Sequence, residues 1–240
     1  MDSVKRMIPL GLFSLLVVTA AALLVSHGVT VLAPVFSDES ENSLPTVVVD
    51  PGHGGEDGGA VSLTGRRESE INLEISLRVR DLLGFLGFPV VMTRQTDVSI
   101  HSPQAATLSE RKVSDLKNRV KLVGEQGDAV LLSIHQNIYS EGIYRGAQVF
   151  YGPSRGSQRL AEELQGLFTS RLDPSNHRQA KEIQSIYLLN NIRCPGVLIE
   201  CGFLSNPAEE ALLQREDHQK KLSAVICAGL WQYLLVKDQG

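Results

Sequence analysis

Residues 47–61 read VVVDPGHGGEDGGAV and place a histidine just after a predicted core strand. The three valines at 47–49 are β-branched and apolar, which is typical of a buried strand. The tripeptide DPG then ends the strand, so His53 is expected in the turn beyond its carboxyl end. Because ligands bind at that end of the strands in open α/β sheets, this stretch predicts both a fold and the position of a site.

Predicted strands and helices alternate along the rest of the chain. A helical pattern over residues 68–86 precedes a strand over 89–93, and a shorter helix over 115–125 precedes a strand over 129–134. Residues 95–112 have no clear period and are expected to form an inserted loop. The alternation predicts a single α/β domain with a mostly parallel sheet and helices on both faces. The remaining predicted elements are a strand over 146–151, a helix over 157–171, a strand over 195–203 and a helix over 216–235.

Two further strands also end in polar side chains. The apolar run at 130–134 is followed by His135 and Asn137, and a later run is followed by Glu200. Since the carboxyl ends of parallel strands share one edge, His53, His135 and Glu200 are expected to converge. One histidine at a strand end is more often an ordinary polar residue than a ligand. Two histidines at strand ends, together with a carboxylate at a third, indicate a zinc site that keeps one position open for water.

The helix after the first strand offers a third protein ligand. At roughly 100° per residue, Glu68 falls on the apolar stripe of this helix, whereas Glu70 points to the opposite side. Glu68 is therefore expected to face the sheet. Stabilisation of the helix dipole would also place a carboxylate in the first turn, but it does not require the apolar stripe. The stripe consists of Ile71, Ile75, Val79, Leu82 and Leu86.

Asp50 and the glycines around His53 each allow two interpretations. Asp50 could support the turn that carries His53 as a hydrogen-bond acceptor, or it could end the strand in an Asx turn. The glycine-rich turn has the position of a phosphate-binding loop, but no Lys-Ser or Lys-Thr pair follows it, which argues against phosphate. The glycines are instead expected to let a bulky substrate approach the backbone, although turn flexibility accounts for some of them.

The composition suits one sizeable soluble domain, and the N-terminal segment resembles an export signal. The 240 residues are 42% hydrophobic with a net charge of -4, so no basic excess points to nucleic acid. Basic residues at 5–6 precede a long apolar run and acidic residues at 38–41 follow it, which matches positive-inside orientation. Residues 1–36 are predicted to be a signal peptide or a membrane anchor, 37–44 a linker and 45–240 the catalytic domain. The chain is expected outside the cytoplasm, secreted or anchored to the membrane.

The three cysteines are expected to be free thiols. Cys194 and Cys201 flank a predicted strand whose ends would lie roughly 20 Å apart, too far for a disulfide. The spacing of these two and Cys227 fits no cysteine zinc pattern. Cys201 adjoins Glu200 and could act as a nucleophile, but neighbouring strand residues point to opposite faces.

Five motifs in order resemble the zinc-dependent N-acetylmuramoyl-L-alanine amidases, cell-wall hydrolases with an amidase-3 type catalytic domain. The resemblance extends over residues 47–235. It implies that His53, Glu68 and His135 bind zinc and that Glu200 is the catalytic glutamate. The motifs are VVVDPGHGGEDGGA (47–60), GRRESEINLEI (65–75), VMTR (91–94), SIHQN (133–137) and GVLIECGFLSN (196–206).

This resemblance implies a substrate, a cofactor and a biological setting. The expected reaction is hydrolysis of the amide between N-acetylmuramic acid and L-alanine in peptidoglycan, with Zn²⁺ as cofactor. The segment ERKVSDLKNR at 110–119 is similar to the branch called germination-specific amidases, which implies a role in spore cortex maturation. Dependence on an extracytoplasmic protein partner stays open. Two alternatives also stay open: a zinc peptidase that cuts within the stem peptide, and a wall-binding protein without catalysis.

Overall fold

The computed structural model describes residues 44–237, and a six-stranded sheet forms their centre. The strands are β1 (Thr46–Pro51), β2 (Val90–Met92), β3 (Ala129–Asn137), β4 (Gln148–Tyr151), β5 (Lys181–Glu182) and β6 (Gly196–Phe203). Their order across the sheet is β2-β1-β3-β6-β4-β5. Every neighbouring pair is parallel except β4 and β6, which are antiparallel. The predicted α/β fold with a mostly parallel sheet is confirmed.

Helices cover the sheet in two groups. They are α1 (Glu68–Phe85), α2 (Leu108–Gly124), α3 (Ser157–Leu167), α4 (Tyr187–Asn191), α5 (Pro207–Leu213) and α6 (Glu216–Lys237). Helix α6 packs against both α1 and α3, while α2 packs against α4. These two groups form the layers on either side of the sheet, as an α/β alternation requires.

The central strands are buried on both faces. The valines at 47–49 have no exposed surface, and the apolar residues of β3 and β6 are nearly all buried. Val48, Leu131 and Leu198 pack in one cluster with residues of α2 and α4, including Val123 and Leu188. Burial on both faces explains why these strands are continuous apolar runs rather than alternating ones.

The predicted loop over residues 95–112 is wrong at its end, because α2 already begins at Leu108. The Thr107 hydroxyl accepts a hydrogen bond from the Glu110 amide at 3.2 Å, and the Glu110 carboxylate accepts one from the Thr107 amide at 2.9 Å. This capping box fixes the start of the helix. Only Arg119 and Val123 of α2 are buried, so the helix lacks the apolar period that the prediction relied on.

The apolar stripe of α1 also differs from the predicted one. Leu83 is fully buried, whereas Leu86 is 41% exposed and Leu82 is only partly buried. The stripe continues from Ile75 and Val79 in steps of four residues, which leads to Leu83. The helix nevertheless presents its first residue, Glu68, to the sheet.

Short elements and one helix end account for the remaining differences. Strand β5 and helices α4 and α5 have no counterpart in the prediction, because two to seven residues are too few to show a period. The predicted helix over 157–171 is α-helical to Leu167 and continues as a π-helical turn over Phe168–Leu172.

The predicted signal peptide or anchor at residues 1–36 lies outside the described residues, as does most of the predicted linker at 37–44. Among residues 44–237, no helix is long and apolar enough to serve as a membrane span.

Candidate metal centre

His53 lies in the turn directly beyond β1, and buried arginines hold that turn. Its φ of 60° is in the left-handed region, which is strained for a residue other than glycine. Arg119 donates to the His53 carbonyl at 2.7 Å. Arg94 donates to the carbonyls of Pro51 and Gly52, both at 3.0 Å. The surrounding hydrogen bonds therefore stabilise an unfavourable backbone conformation at this histidine.

Glu68 lies between the imidazoles of His53 and His135. Its Oε2 is 3.3 Å from His53 Nε2, and its Oε1 is 3.0 Å from His135 Nδ1. The two rings are nearly perpendicular, with centroids 5.0 Å apart. One ligand atom from each of the three residues lies within 4.8 Å of the other two. This arrangement could hold one metal ion through two nitrogens and one oxygen.

The Glu68 carboxylate is fixed by three further donors. The Ala60 amide donates to its Oε2 at 2.9 Å, and the Gln136 amide and Asn72 Nδ2 donate to its Oε1 at 3.1 and 3.2 Å. Glu68 is 3% exposed, whereas the Glu70 side chain is 42% exposed. The structure thus gives the two glutamates the orientations that the helical period predicted.

Two glycines make room for the side chains of this cluster. A Cβ at Gly52 would lie 2.2 Å from the His135 ring, and a Cβ at Gly59 would lie 2.6 Å from Glu68 Oε2. At these two positions the expected role in substrate approach is wrong, because the space is filled by the site's own residues.

The cluster carries opposite charges at close range. Burial lowers the pKa of His53, but hydrogen bonds to Asp57 and Glu68 outweigh burial and raise that pKa to about 9. Burial raises the pKa of Glu68, but hydrogen bonds from His135 and His53 hold that pKa well below its usual range. An ionised carboxylate thus lies beside a protonated imidazole, and a metal cation could take the place of that proton.

Glu200 lies next to His135 on the neighbouring strand. The register pairs His135 of β3 with Glu200 of β6, so both side chains are on the same face of the sheet. Burial raises the pKa of Glu200 to about 7. Its Oε2 is buried and has no hydrogen-bond partner among residues 44–237. This carboxylate is therefore available to exchange a proton with a molecule bound beside the three-residue cluster.

A family model described as N-acetylmuramoyl-L-alanine amidase, Amidase_3, matches residues 47–232. The chain belongs to this family. The resemblance seen in the five motifs is therefore confirmed, and the chain is an amidase that acts on peptidoglycan.

Similar proteins include a curated relative and two solved structures. The amidase is 39% identical over 193 residues to the germination-specific N-acetylmuramoyl-L-alanine amidase of Bacillus subtilis, and the match covers 80% of each chain. The CwlD amidase from Clostridioides difficile, in complex with the GerS lipoprotein, is 36% identical with a TM-score of 0.78, covering 80% of this chain and 100% of that one. An N-acetylmuramoyl-L-alanine amidase from Clostridium difficile 630 is 30% identical with a TM-score of 0.70. That match covers 80% of this chain and 98% of the other.

Asp57 is the carboxylate that supports His53 in the amidase, and the sequence analysis missed it. Asp57 Oδ2 is 3.1 Å from His53 Nδ1, and Lys112 Nζ is 3.0 Å from Asp57 Oδ1. Histidine ligands commonly bond a carboxylate through their second ring nitrogen. The only signal in the sequence was an acidic residue four positions after the histidine in the same turn.

Asp50 supports the His53 turn, which is one of its two expected roles, but it does so through Arg119. It accepts hydrogen bonds from Thr93 and Ser133, both at 2.6 Å, and forms a buried ion pair with Arg119. Burial raises the pKa of Asp50, but Arg119 and the two hydroxyls hold that pKa below its usual range. The predicted Asx turn is wrong. It would need the Gly52 amide to donate to the Asp50 side chain, but this amide donates to a β3 carbonyl instead. Arg119 in turn donates to the His53 carbonyl, so the Asp50 carboxylate supports the His53 turn while it joins β1 to β3 and α2.

Cys201 does not face the metal centre. The three cysteines are free, as predicted. Cys201 is 3% exposed and lines a cavity with Leu213 and His218, whereas His135 lines a different one. Burial raises the pKa of this thiol far above its usual range, so a thiolate nucleophile at Cys201 is excluded.

A cleft of about 280 Å³ opens beside the two imidazoles of the amidase. His53 and His135 form its floor, Lys112 and Leu116 of α2 line one wall, and Tyr187 of α4 lines another. A mostly apolar cleft with a few polar groups converging on it is typical of a substrate site.

Proposed function

We propose that the chain hydrolyses the amide between N-acetylmuramic acid and the L-alanine of the stem peptide in a zinc-dependent reaction. His53, Glu68 and His135 would hold the zinc, and Glu200 would be the catalytic glutamate. The observation that carries this proposal is the convergence of three donor atoms within 4.8 Å, beside a buried carboxylate oxygen that has no hydrogen-bond partner in the described part of the chain.

The donor set fits zinc. Two imidazoles and a carboxylate are a common set of protein ligands in catalytic zinc sites, which leave the fourth position open. The Asp57 carboxylate on His53 Nδ1 supports the ring orientation that a ligand needs. When bound, zinc would polarise the scissile carbonyl and lower the pKa of water from 15.7 to about 7.

Glu200 would move the proton in this reaction. A pKa of about 7, raised by burial, suits a group that accepts a proton and returns it near neutral pH. Glu200 takes the proton of the attacking water and then delivers it to the leaving nitrogen of L-alanine. A positioned acid and base of this kind contributes about 10²–10⁴ in rate.

We propose further that the enzyme acts on spore cortex outside the cytoplasm. The germination-specific amidase of Bacillus subtilis and the segment at 110–119 support this setting. Residues 1–36 would export or anchor the chain, residues 37–44 would link them to the domain, and 45–240 would form the catalytic domain. An extracytoplasmic partner is supported by the complex of the Clostridioides difficile CwlD amidase with a lipoprotein.

Digestion of purified cortex tests the reaction. The zinc-loaded chain is expected to release stem peptides with L-alanine as the new amino terminus and to stop doing so when a chelator removes the metal. New termini within the stem would support the zinc peptidase instead. Binding to cortex without any new terminus, by a chain shown to contain zinc, would support the non-catalytic alternative.

A further inference from the structure

A β-bulge in β6 brings a second group of residues to the face that carries Glu200. The register runs from His135 paired with Glu200 to Asn137 paired with Phe203, so β6 has one extra residue between these pairs. The extra residue returns Phe203 to the same face as Glu200. Phe203 therefore lies about 7 Å beyond Glu200 along the strand.

Arg178 covers Phe203 on this face. Its guanidinium carbon lies 4.7 Å from the centroid of the Phe203 ring. Its Nη1 donates to Gln148 Oε1 at 2.9 Å, and Gln148 of β4 is paired with Glu200 of β6. The guanidinium thus binds the side chain of the residue that is paired with the catalytic glutamate.

The position of Arg178 is fixed before any substrate binds. Its Nε donates to the Arg145 carbonyl at 2.9 Å, and its backbone amide donates to Asn176 Oδ1 at 3.1 Å. Asn176 is itself buried and donates to the Ala147 carbonyl at 2.8 Å. Ordering this side chain on binding would therefore cost little entropy.

The charge of Arg178 is not neutralised within the described residues. No carboxylate oxygen among residues 44–237 lies within ion-pair distance of its guanidinium, whereas the neighbouring Arg145 pairs with Asp173 at 2.9 Å. The bonds to Gln148 and the Arg145 carbonyl use Nη1 and Nε, so Nη2 keeps its donors for a ligand. A fixed, half-buried arginine with free donors is suited to bind a carboxylate.

We propose that Arg178 binds the stem-peptide carboxylate nearest the scissile amide. In peptidoglycan the residue after L-alanine is joined through its side-chain carboxyl, which leaves its α-carboxylate free. That carboxylate lies on the order of 6 Å from the scissile nitrogen, since consecutive α-carbons are about 3.8 Å apart. This span is similar to the step of about 7 Å along β6 from Glu200 to Phe203, the residue that the guanidinium covers. This inference rests on the proposed function and adds a determinant of its substrate specificity.

Two substrates that differ only in this charge test the proposal. The full-length, zinc-loaded chain is given muropeptides with either D-isoglutamate or D-isoglutamine after L-alanine. A hydrogen bond to a charged group contributes about 1.5–3 kcal/mol, so kcat/KM is expected to be roughly 10–100-fold higher for the acid than for the amide. In Arg178→Gln the two values should become nearly equal, mainly through loss of activity on the acid.

Two variants serve as controls. Arg145→Gln removes a neighbouring arginine whose charge is already paired, so it should keep the preference for the acid. Arg178→Lys should keep part of the preference, because it retains the charge without the fork geometry. Equal melting temperatures of the variants and the original chain show that each is folded.

The outcomes separate this proposal from the function on which it rests. A preference for the acid that is unchanged in folded Arg178→Gln would overturn the role of Arg178, as would equal cleavage of both substrates by the original chain. If the zinc-loaded chain cut neither substrate, the proposed function would fail and this inference would fail with it.

Discussion

The two sides of the candidate site differ in how completely their carboxylates are bonded. On the β1 side, Asp50 and Arg119 form a buried ion pair, and Asp57 is bonded to His53 and Lys112. On the β6 side, Glu200 Oε2 has no hydrogen-bond partner among residues 44–237. An unsatisfied buried polar group costs about 1–3 kcal/mol, which a fold tolerates where the group has a function. This difference supports the proposal that the β1 side holds the metal and that the β6 side carries the reacting group.

The largest effect is expected from removing a ligand on the holding side. His135→Ala leaves only two protein ligands, so the variant should lose nearly all its zinc and its activity. Elemental analysis of dialysed protein measures this. His177→Ala is the matched control, because His177 is exposed and lies outside the cluster, and it should keep its zinc. Full zinc occupancy in His135→Ala would mean that the ion is bound elsewhere.

On the β1 side, the buried ion pair beneath the His53 turn is expected to contribute most to the free energy of unfolding. Arg119→Met leaves Asp50 buried without its cation and is expected to lower the free energy of unfolding by about 3–5 kcal/mol. Arg111→Met is the control, since Arg111 pairs with the partly exposed Glu56 and should cost less than about 1 kcal/mol. Urea unfolding of the metal-free proteins measures both. Similar losses for the two variants would show that burial of the pair does not matter.

Asp57 should affect metal affinity without being a ligand. Asp57→Asn keeps the shape of the side chain but removes the negative charge that faces His53 Nδ1. Loss of such a hydrogen-bond partner typically weakens metal binding about 10–100-fold. Competition with a fluorescent zinc chelator gives the affinity. Unchanged zinc affinity would assign Asp57 to structure alone.

Zinc binding should depend on pH through His53. The metal-free pKa of about 9 means that this imidazole is protonated at neutral pH, and zinc must displace the proton. Apparent affinity is therefore expected to rise roughly tenfold per pH unit as the pH increases toward that pKa. Calorimetry in two buffers with different ionisation enthalpies counts the released protons. Affinity that does not change between about pH 6 and 8 would contradict a raised His53 pKa.

The features that the sequence predicted depend on local pattern. Apolar runs ending in His53, His135 and Glu200 were sufficient to place three side chains at one edge of a parallel sheet, and the helical period distinguished Glu68 from Glu70. The start of helix α2 escaped prediction because a polar capping box begins it and few apolar residues line it.

The features that escaped prediction depend on contacts between distant parts of the chain. Arg119 meets Asp50 from 69 positions away, and no local pattern marks such a partner. The bulge that turns Phe203 toward the site is defined by how β6 pairs with β3. The sequence of one strand does not reveal that pairing. The sequence thus predicted which residues lie close together but not what holds them in place.

Glu200→Gln tests the division between holding and reacting most directly. Glutamine keeps the shape of the side chain but cannot accept the water's proton, so zinc content should stay at about one per chain while turnover of cortex falls by about 10² or more. Co-sedimentation with insoluble cortex should be unchanged. Loss of zinc from this variant would make Glu200 a ligand, and near-normal turnover with zinc in place would mean that another residue is the base; either result would contradict the account.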